Sequence, residues 1–484
     1  MHIVSAFLAQ ARHQPAEPAI CAPGTPFNVV SYGRLETMAN NIGRHASANG
    51  LQRGDVVAIM TGDPIFHLAL FLGLARIGAQ TLSSSNANFP RELRVDAIVT
   101  DNPAAVASRI RTIRADLGWT EGDGKPPDAD VVVDFNAGDE TARIALTSGT
   151  TGDPKAVALS HDNLIRRLQA YDVVFGNRFA ACARTFIDLT LVTGFGFALT
   201  MHVLSRGGTV FCRGSDAAET MQAFGLYKVQ CMIAAPSGVA EFLEYYEQSP
   251  SFACPFELML ASGSLLSSTL SERVRSRMCA NLFATYAATE LSPAAAAPAH
   301  QIAHIKGAVG YLMPWVSAQA VDQADRPLKA GEEGLIRMRG HTCVSGYIGN
   351  PPGSERIFRD GWFYPGDIGR VTEERLLIIS GREKAVINLG GDKVSPERIE
   401  AVLSAFPGVK DAAAFGRANE LGIEEIWATV VTDADMNMMA LRAHCARALP
   451  PEFIPVHVSR VVAIPRNAMG RIDRDQLPNL AAKG

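Results

Sequence analysis

The stretch with the most evident chemistry is Thr147-Ser148-Gly149-Thr150-Thr151-Gly152-Asp153-Pro154-Lys155, directly after the strand-like Ile144-Ala145-Leu146. A loop this rich in Gly, Ser and Thr can turn backbone N–H groups and hydroxyls onto phosphate oxygens, because glycine tolerates the required dihedrals and leaves room for the anion. Lys155 adds a point charge at the loop's end. The spacing is not Gly-x-x-x-x-Gly-Lys-Ser/Thr, and no Gly-x-Gly-x-x-Gly follows a strand, which excludes the usual nucleotide P-loop and a dinucleotide fold. The plain alternative is a flexible hydroxyl-rich hairpin.

The elements that must hold such a loop are legible as alternating strands and helices. Val56 to Met60 reads as a buried strand after the Gly54-Asp55 turn, and Phe66 to Ile77 as the helix that follows. Similar units recur at 208–212, at 229–234 before a helix near 237–246, and at 258–261 before a helix near 267–278. This alternation predicts an α/β fold with largely parallel sheets covered by helices. The acidic, Gly- and Pro-rich segment 118–140 reads as an exposed connection. From about Val309 the pattern changes to short alternating strands, which predicts a β-rich subdomain over about 309–380. Ser395-Pro396 then opens a helix, with Ser as cap and Pro at the first position. Strands at 411–415, 426–431 and 457–462 and a helix near 439–449 complete a small α+β unit. The domains are therefore expected at 1–383 and 384–484, with the boundary at Lys384.

The 45 basic and 49 acidic residues among 484 give a formal charge of -4, too little basic field for a nucleic-acid partner. Eight scattered cysteines offer no Cys-x-x-Cys pair, so neither a structural zinc site nor a disulfide framework is expected. Residues 2–12 read as an amphipathic helix and not as a signal peptide. The longest uncharged run, 189–205, is too short and polar to span a bilayer and reads as buried core. These features place the protein in the cytoplasm by expectation.

The loop 147–155, with Ala156-Val157 and Ser160-His161 after it, resembles the signature of the acyl-adenylate-forming superfamily, which includes acyl- and aryl-CoA synthetases. Tyr286-Ala287-Ala288-Thr289-Glu290 is similar to that family's aromatic-x-x-Thr-Glu segment, and Gly331-Glu332-Glu333-Gly334 to its Gly-Glu-x-Gly turn. Gly361-Trp362-Phe363-Tyr364-Pro365-Gly366-Asp367 resembles a third element. Gly381-Arg382-Glu383-Lys384 resembles the hinge, and Pro465 to Arg471 the C-terminal catalytic loop. The motifs occur in the family's order across 147–474.

The resemblance implies that Thr147, Ser148, Gly149, Thr150, Thr151, Gly152 and Lys155 surround the phosphates of ATP, with Gly263 and Ser264 also on the nucleotide. Tyr286 would stack on adenine, Thr289 would meet the α-phosphate, and Glu290 would hold Mg²⁺, a hard cation suited to a carboxylate. Asp367 and Arg382 would contact the ribose. Taken singly, Tyr286 reads equally as a core aromatic, Glu290 as a solvated charge and Asp367 as a turn former. The implied reaction is a carboxylate's attack on ATP to give an acyl-adenylate and pyrophosphate, then thioester formation with CoA, with the C-terminal domain rotating about Lys384 between the steps.

The chain departs from the family at several points. Arg471 stands where the family has a catalytic lysine, and a planar fork is a poor substitute for a compact charge at a bridging site. Lys393 and Arg466 are candidate helpers. Leu191 aligns with a pocket-gating position, and Asp188 lies one residue from the aspartate that binds the ammonium in amino-acid-activating members. Pro365 replaces a threonine. The expected acyl pocket, with Leu191, Thr193, Gly194, Ala235, Ser262, Ala287 and Ala288 among its residues, is small or apolar and uncharged, which points to a neutral acyl tail.

The preferred reading is an AMP-forming carboxylate–CoA ligase acting on a small carboxylic acid. One alternative is an adenylating enzyme that passes its acyl or aminoacyl group to a carrier protein or an amine. Another is a nucleotide- or acyl-binding protein with lost or weak turnover. A homodimer is left open.

Overall fold

The computed structural model describes residues 1–128, 130–132, 135–147, 155–176, 183–248, 254–383, 387–388, 393–418, 424–433, 436–467 and 470–481. Ser148, Gly149, Thr150, Thr151, Gly152 and Lys384 lie outside them.

A first sheet has the strand order Thr112–Arg114, Ala97–Thr100, Val56–Met60, Gln80–Ser83, Thr141–Thr147 and Lys155–Ser160. Its first five strands are parallel, and the last pair is an antiparallel hairpin in which Thr147 faces Lys155. The helix Pro64–Arg76 packs beside it. Asp63 caps this helix by accepting from the Ile65 and Phe66 N–H groups, and its residues from Ile65 to Arg76 are all buried.

A second sheet begins with parallel strands Pro18–Cys21, Thr209–Phe211, Arg184–Ile187, Cys231–Ala234, Leu258–Ser262 and Leu282–Ala288. It continues as antiparallel strands Ser292–Pro298, Ala308–Leu312, Leu376–Arg382, Asp367–Val371 and Gly334–Arg339. The expected β-rich region is thus present, but it shares one 15-stranded sheet with the parallel strands. The uncharged run 189–205 is mostly the helix Gly194–Ser205, whose residues from Gly196 to Leu204 are all buried. Segment 118–140 is less free than its composition suggests. Asn41 donates to the Thr120 carbonyl, Asn40 to that of Gly124, and Arg44 pairs with Asp123, which strap it along the helix Tyr32–Ala48.

The C-terminal unit has its own sheet, Val409–Ala418 antiparallel to Glu424–Thr432 and that strand parallel to His457–Arg460. Helices Pro396–Ser404 and Met438–Ala448 cover a core that includes Ile399, Leu403, Ile426 and Leu441. Among the described residues no helix is long and apolar enough to cross a membrane.

Candidate active site

The two larger sheets and the C-terminal unit enclose a cleft of about 2700 Å³, lined among others by Thr147, Lys155, Thr193, Gly194, Ser262, Gly263, Ser264, Tyr286, Ala287, Ala288, Thr289, Glu290, Asp367, Arg382 and Arg471.

One corner is built by strand register. Asp367 and Arg382 face each other across antiparallel strands, and Arg382 Nε donates to Asp367 Oδ1 at 2.7 Å. Tyr286 Oη donates to the other carboxylate oxygen. A bulge between Tyr286 and Ala287 turns the strand at this point, a common device for re-aiming a side chain. Arg382 Nη1 also donates to the Pro365 carbonyl at 3.0 Å, so the position where a hydroxyl is lost still contributes through its backbone. Asp367 is 2% exposed. Burial pushes its carboxyl above the ordinary carboxylate range, against the opposing pull of Arg382. A carboxylate has about four lone-pair sites, so two remain for the paired hydroxyls of a ribose.

A second corner gathers the phosphate-side residues. Thr147 and Lys155 close the ends of the hairpin around the loop. Lys155 Nζ lies 4.8 Å above the Tyr347 ring, and Tyr347 Oη donates to Glu290 Oε1 at 2.7 Å. Among the described residues no hydrogen bond engages Glu290 Oε2, which leaves a hard oxygen facing the cleft and fits a magnesium ion whose other ligands are phosphates and water. The main chain here is gripped by Arg167 on the helix His161–Phe175. Its Nη1 donates to the Thr289 carbonyl at 2.8 Å, and its Nη2 to the Glu290 and Thr342 carbonyls at 3.3 and 3.0 Å. Burial lowers the Arg167 guanidinium to about 10.

Arg471 enters from the C-terminal unit. Asn467 and Gly470 shape its tight loop, with Asn467 Oδ1 accepting from the Arg471 N–H, and Arg471 Nε donates to the Gly263 carbonyl at 2.9 Å. Burial and the neighbouring Arg382 lower its basicity, while Asp367, Tyr286 and Glu290 oppose this. A methyl group at Gly470, whose φ is +72°, would stand 2.8 Å from Ala235 Cβ, so the loop lies close against the larger domain there.

Several expectations need correction. The Leu191 side chain belongs to the main hydrophobic core, and Val192 lines the cleft instead. Asp188 is held by Arg213 at 2.7 and 3.0 Å, and Arg213 also meets Glu241, so its charge is not offered to a substrate ammonium. Arg466 is a loop staple, bound to Asp411 and the Gly470 carbonyl. The side chain of Lys393 is outside the described residues. Arg167 also lines the cleft, on its phosphate side. Sequence reasoning missed Arg167 and Tyr347. Both stand alone in otherwise ordinary segments, although Arg167 on the same helical face as Leu164, Leu168 and Tyr171 was a usable sign of a buried cation.

Comparison with known proteins agrees with this geometry. The family model of the AMP-binding enzymes matches residues 7–348, and that of the AMP-binding enzyme C-terminal domain matches 398–471. Naringenin synthase of Pestalotiopsis fici is 27% identical over 94% of this chain, and medium-chain-fatty-acid–CoA ligase of Escherichia coli 28% identical over 70%. This chain spans only 18% and 60% of their respective lengths. Indoleacetate–CoA ligase of Aromatoleum aromaticum is 26% identical over 98% of this chain and 97% of its own. Among solved structures, ATP-bound MatB from Rhodopseudomonas palustris superposes with a TM-score of 0.83 at 24% identity, covering 99% of both chains. The amide bond synthetase McbA from Marinactinospora thermotolerans gives 0.79 at 21%, covering 98% of this chain and 99% of its own. Matching most of the length from residue 7 onward, in motif order and in fold, the chain belongs to the AMP-binding enzyme family.

Proposed function

We propose that this chain is an AMP-forming carboxylate–CoA ligase. The observation that supports it most is the meeting, in one cleft, of Arg471 from the C-terminal unit with the Tyr286–Asp367–Arg382 corner and the Thr289–Glu290 turn. Asp367 accepts the ribose hydroxyls and Tyr286 places its ring along the adenine. Thr289 donates to an α-phosphate oxygen. Lys155 and Arg471 neutralise charge as the acid's carboxylate attacks the α-phosphorus and pyrophosphate departs, so catalysis is positioning plus preorganised electrostatics. Magnesium on Glu290 would supply further charge neutralisation at the phosphates. In the second step a thiol displaces AMP after the C-terminal unit turns about the segment at Lys384.

The test is acid-dependent ATP–pyrophosphate exchange with Mg²⁺ and without CoA, across aliphatic, aryl and amino acids. Exchange with amino acids alone, or with none, would overturn the reading. Adding CoA, a phosphopantetheinyl carrier protein or an amine to a competent acid then identifies the acceptor. AMP and thioester release with CoA is expected. Arg471 in place of a lysine favours a second reading, a nucleotide- or acyl-binding protein with lost or weak turnover, and ATP binding without acid-dependent exchange is its signature.

A further inference from the structure

Arg143 is 1% exposed and lies on the strand Thr141–Thr147. Register pairs it with Thr81 on the strand Gln80–Ser83, so its side chain shares a face with that of Ser83 two residues further along. Its Nη2 donates to Ser83 Oγ at 2.9 Å and to the Leu191 carbonyl at 2.7 Å, and the guanidinium stacks 3.8 Å from the Phe197 ring. Nε and Nη1 are buried without a hydrogen-bond partner, and no carboxylate among the described residues pairs with this charge. His67 meets Ser83 at 2.6 Å and is kept neutral by burial and by Arg143 itself, so it offers no compensation.

An isolated cation in a dry interior is costly, and natural proteins retain one where something answers it. What adjoins it here is the cleft. Ser83, Ser84 and Ser85 line the wall beside Val192, Thr193, Gly194 and Ala198. Arg143, Ala145 and Thr147 alternate onto one strand face, in steps of roughly 7 Å, from the buried guanidinium to the phosphate loop. A methyl group at Gly194 would make ordinary contact with Ala145 Cβ at 3.9 Å and Thr289 Cγ2 at 3.8 Å, so small residues stand on the cleft wall beside Thr289, the same wall to which Ser83 belongs.

We propose that Ser83 and Arg143 form a recognition subsite for a second carboxylate on the acid, which makes the preferred substrates short-chain or single-ring dicarboxylic acids. This rests on the adenylating reading above. One carboxylate attacks ATP. The other stays ionised in the cleft beside Ser83, where the field of Arg143 reaches it from behind that wall. The uncharged acyl pocket expected from sequence is thereby replaced by one with a cationic end.

The experiment compares kcat/KM in ATP–pyrophosphate exchange for matched pairs: adipic against 6-methylheptanoic acid, and terephthalic against 4-isopropylbenzoic acid. At least a tenfold preference for the diacid is expected. Arg143→Lys should keep the preference, and Arg143→Gln, which retains donors for Ser83 and Leu191 but no charge, should reduce it to near one. Thermal stabilisation by ATP reports folding of each variant, and Ser83→Ala makes the same comparison if Arg143→Gln does not fold. Equal or better exchange with the neutral acids in the native chain overturns the subsite and leaves the adenylating reading intact. A preference that survives Arg143→Gln overturns it too. No exchange with any acid overturns both.

Discussion

The ribose corner and the Arg471 loop face the same cleft but are built differently. Asp367, Arg382 and Tyr286 stand on strands of one sheet, each polar group answered by another at a position dictated by register. Arg471 sits at the tip of a loop in a separate unit and, among the described residues, reaches across through a single bond to a carbonyl. On the proposed function, groups needed throughout the reaction would be anchored in the sheet, and a group needed for one step mounted on the unit proposed to turn away.

The largest effect should come from breaking the anchored side. Asp367→Ala leaves Arg382 buried without its partner, a loss of about 3–5 kcal/mol for such pairs, and should lower exchange about 10²- to 10³-fold together with a raised KM for ATP. An unchanged KM would show that the corner is structural only. On the loop side, Arg471→Ala should lower kcat about 100-fold, in the range of one lost charge-stabilising donor, with KM for ATP little altered. Arg471→Lys should fall about tenfold, because an ammonium cannot both donate from the Nε position to Gly263 and present a second N–H to the phosphates. A rise would mean that the guanidinium is merely tolerated.

A variant at a third site sharpens the contrast at the turn between them. Arg167→Met removes three carbonyl contacts from Thr289, Glu290 and Thr342 and should lower kcat by about tenfold, the order of one or two hydrogen bonds to a charged group, and raise the Mg²⁺ concentration for half-maximal exchange. Unaltered Mg²⁺ dependence would confine Arg167 to packing. The smallest effect concerns acid. His2 and His67 are lowered to about 3, and His161 and His202 to about 4, chiefly by burial, and all four belong to the larger domain. Their folded pKa values lie below the unfolded value, so the unfolded chain binds more protons between them and stability falls as pH drops from about 6.5 toward 4. Thermal melts over that range should move downward by several degrees, and His67→Gln should flatten the slope.

The order of the motifs, the alternation of strands and helices, and the cap at Ser395 were legible because each depends on neighbours within a few residues. The pairing of Asp188 with Arg213 was not, since 25 residues separate them and only the adjacency of the strand Arg184–Ile187 to Thr209–Phe211 brings them together. Arg143 reads in sequence as one charge in an apolar strand, and its isolation appears only once the opposite strand supplies serine where a carboxylate would be needed. Leu191 shows the remaining limit: a cleft wall and a core can differ by one residue when the chain runs between them.

Gly470 meets Ala235 and Ser237 with no room for a side chain. Under the proposed turning of the C-terminal unit, its bareness would act on timing. Any larger residue there would wedge the small domain off the large one, favouring whichever arrangement does not need that contact and shifting the slow step of the cycle without touching a reacting atom.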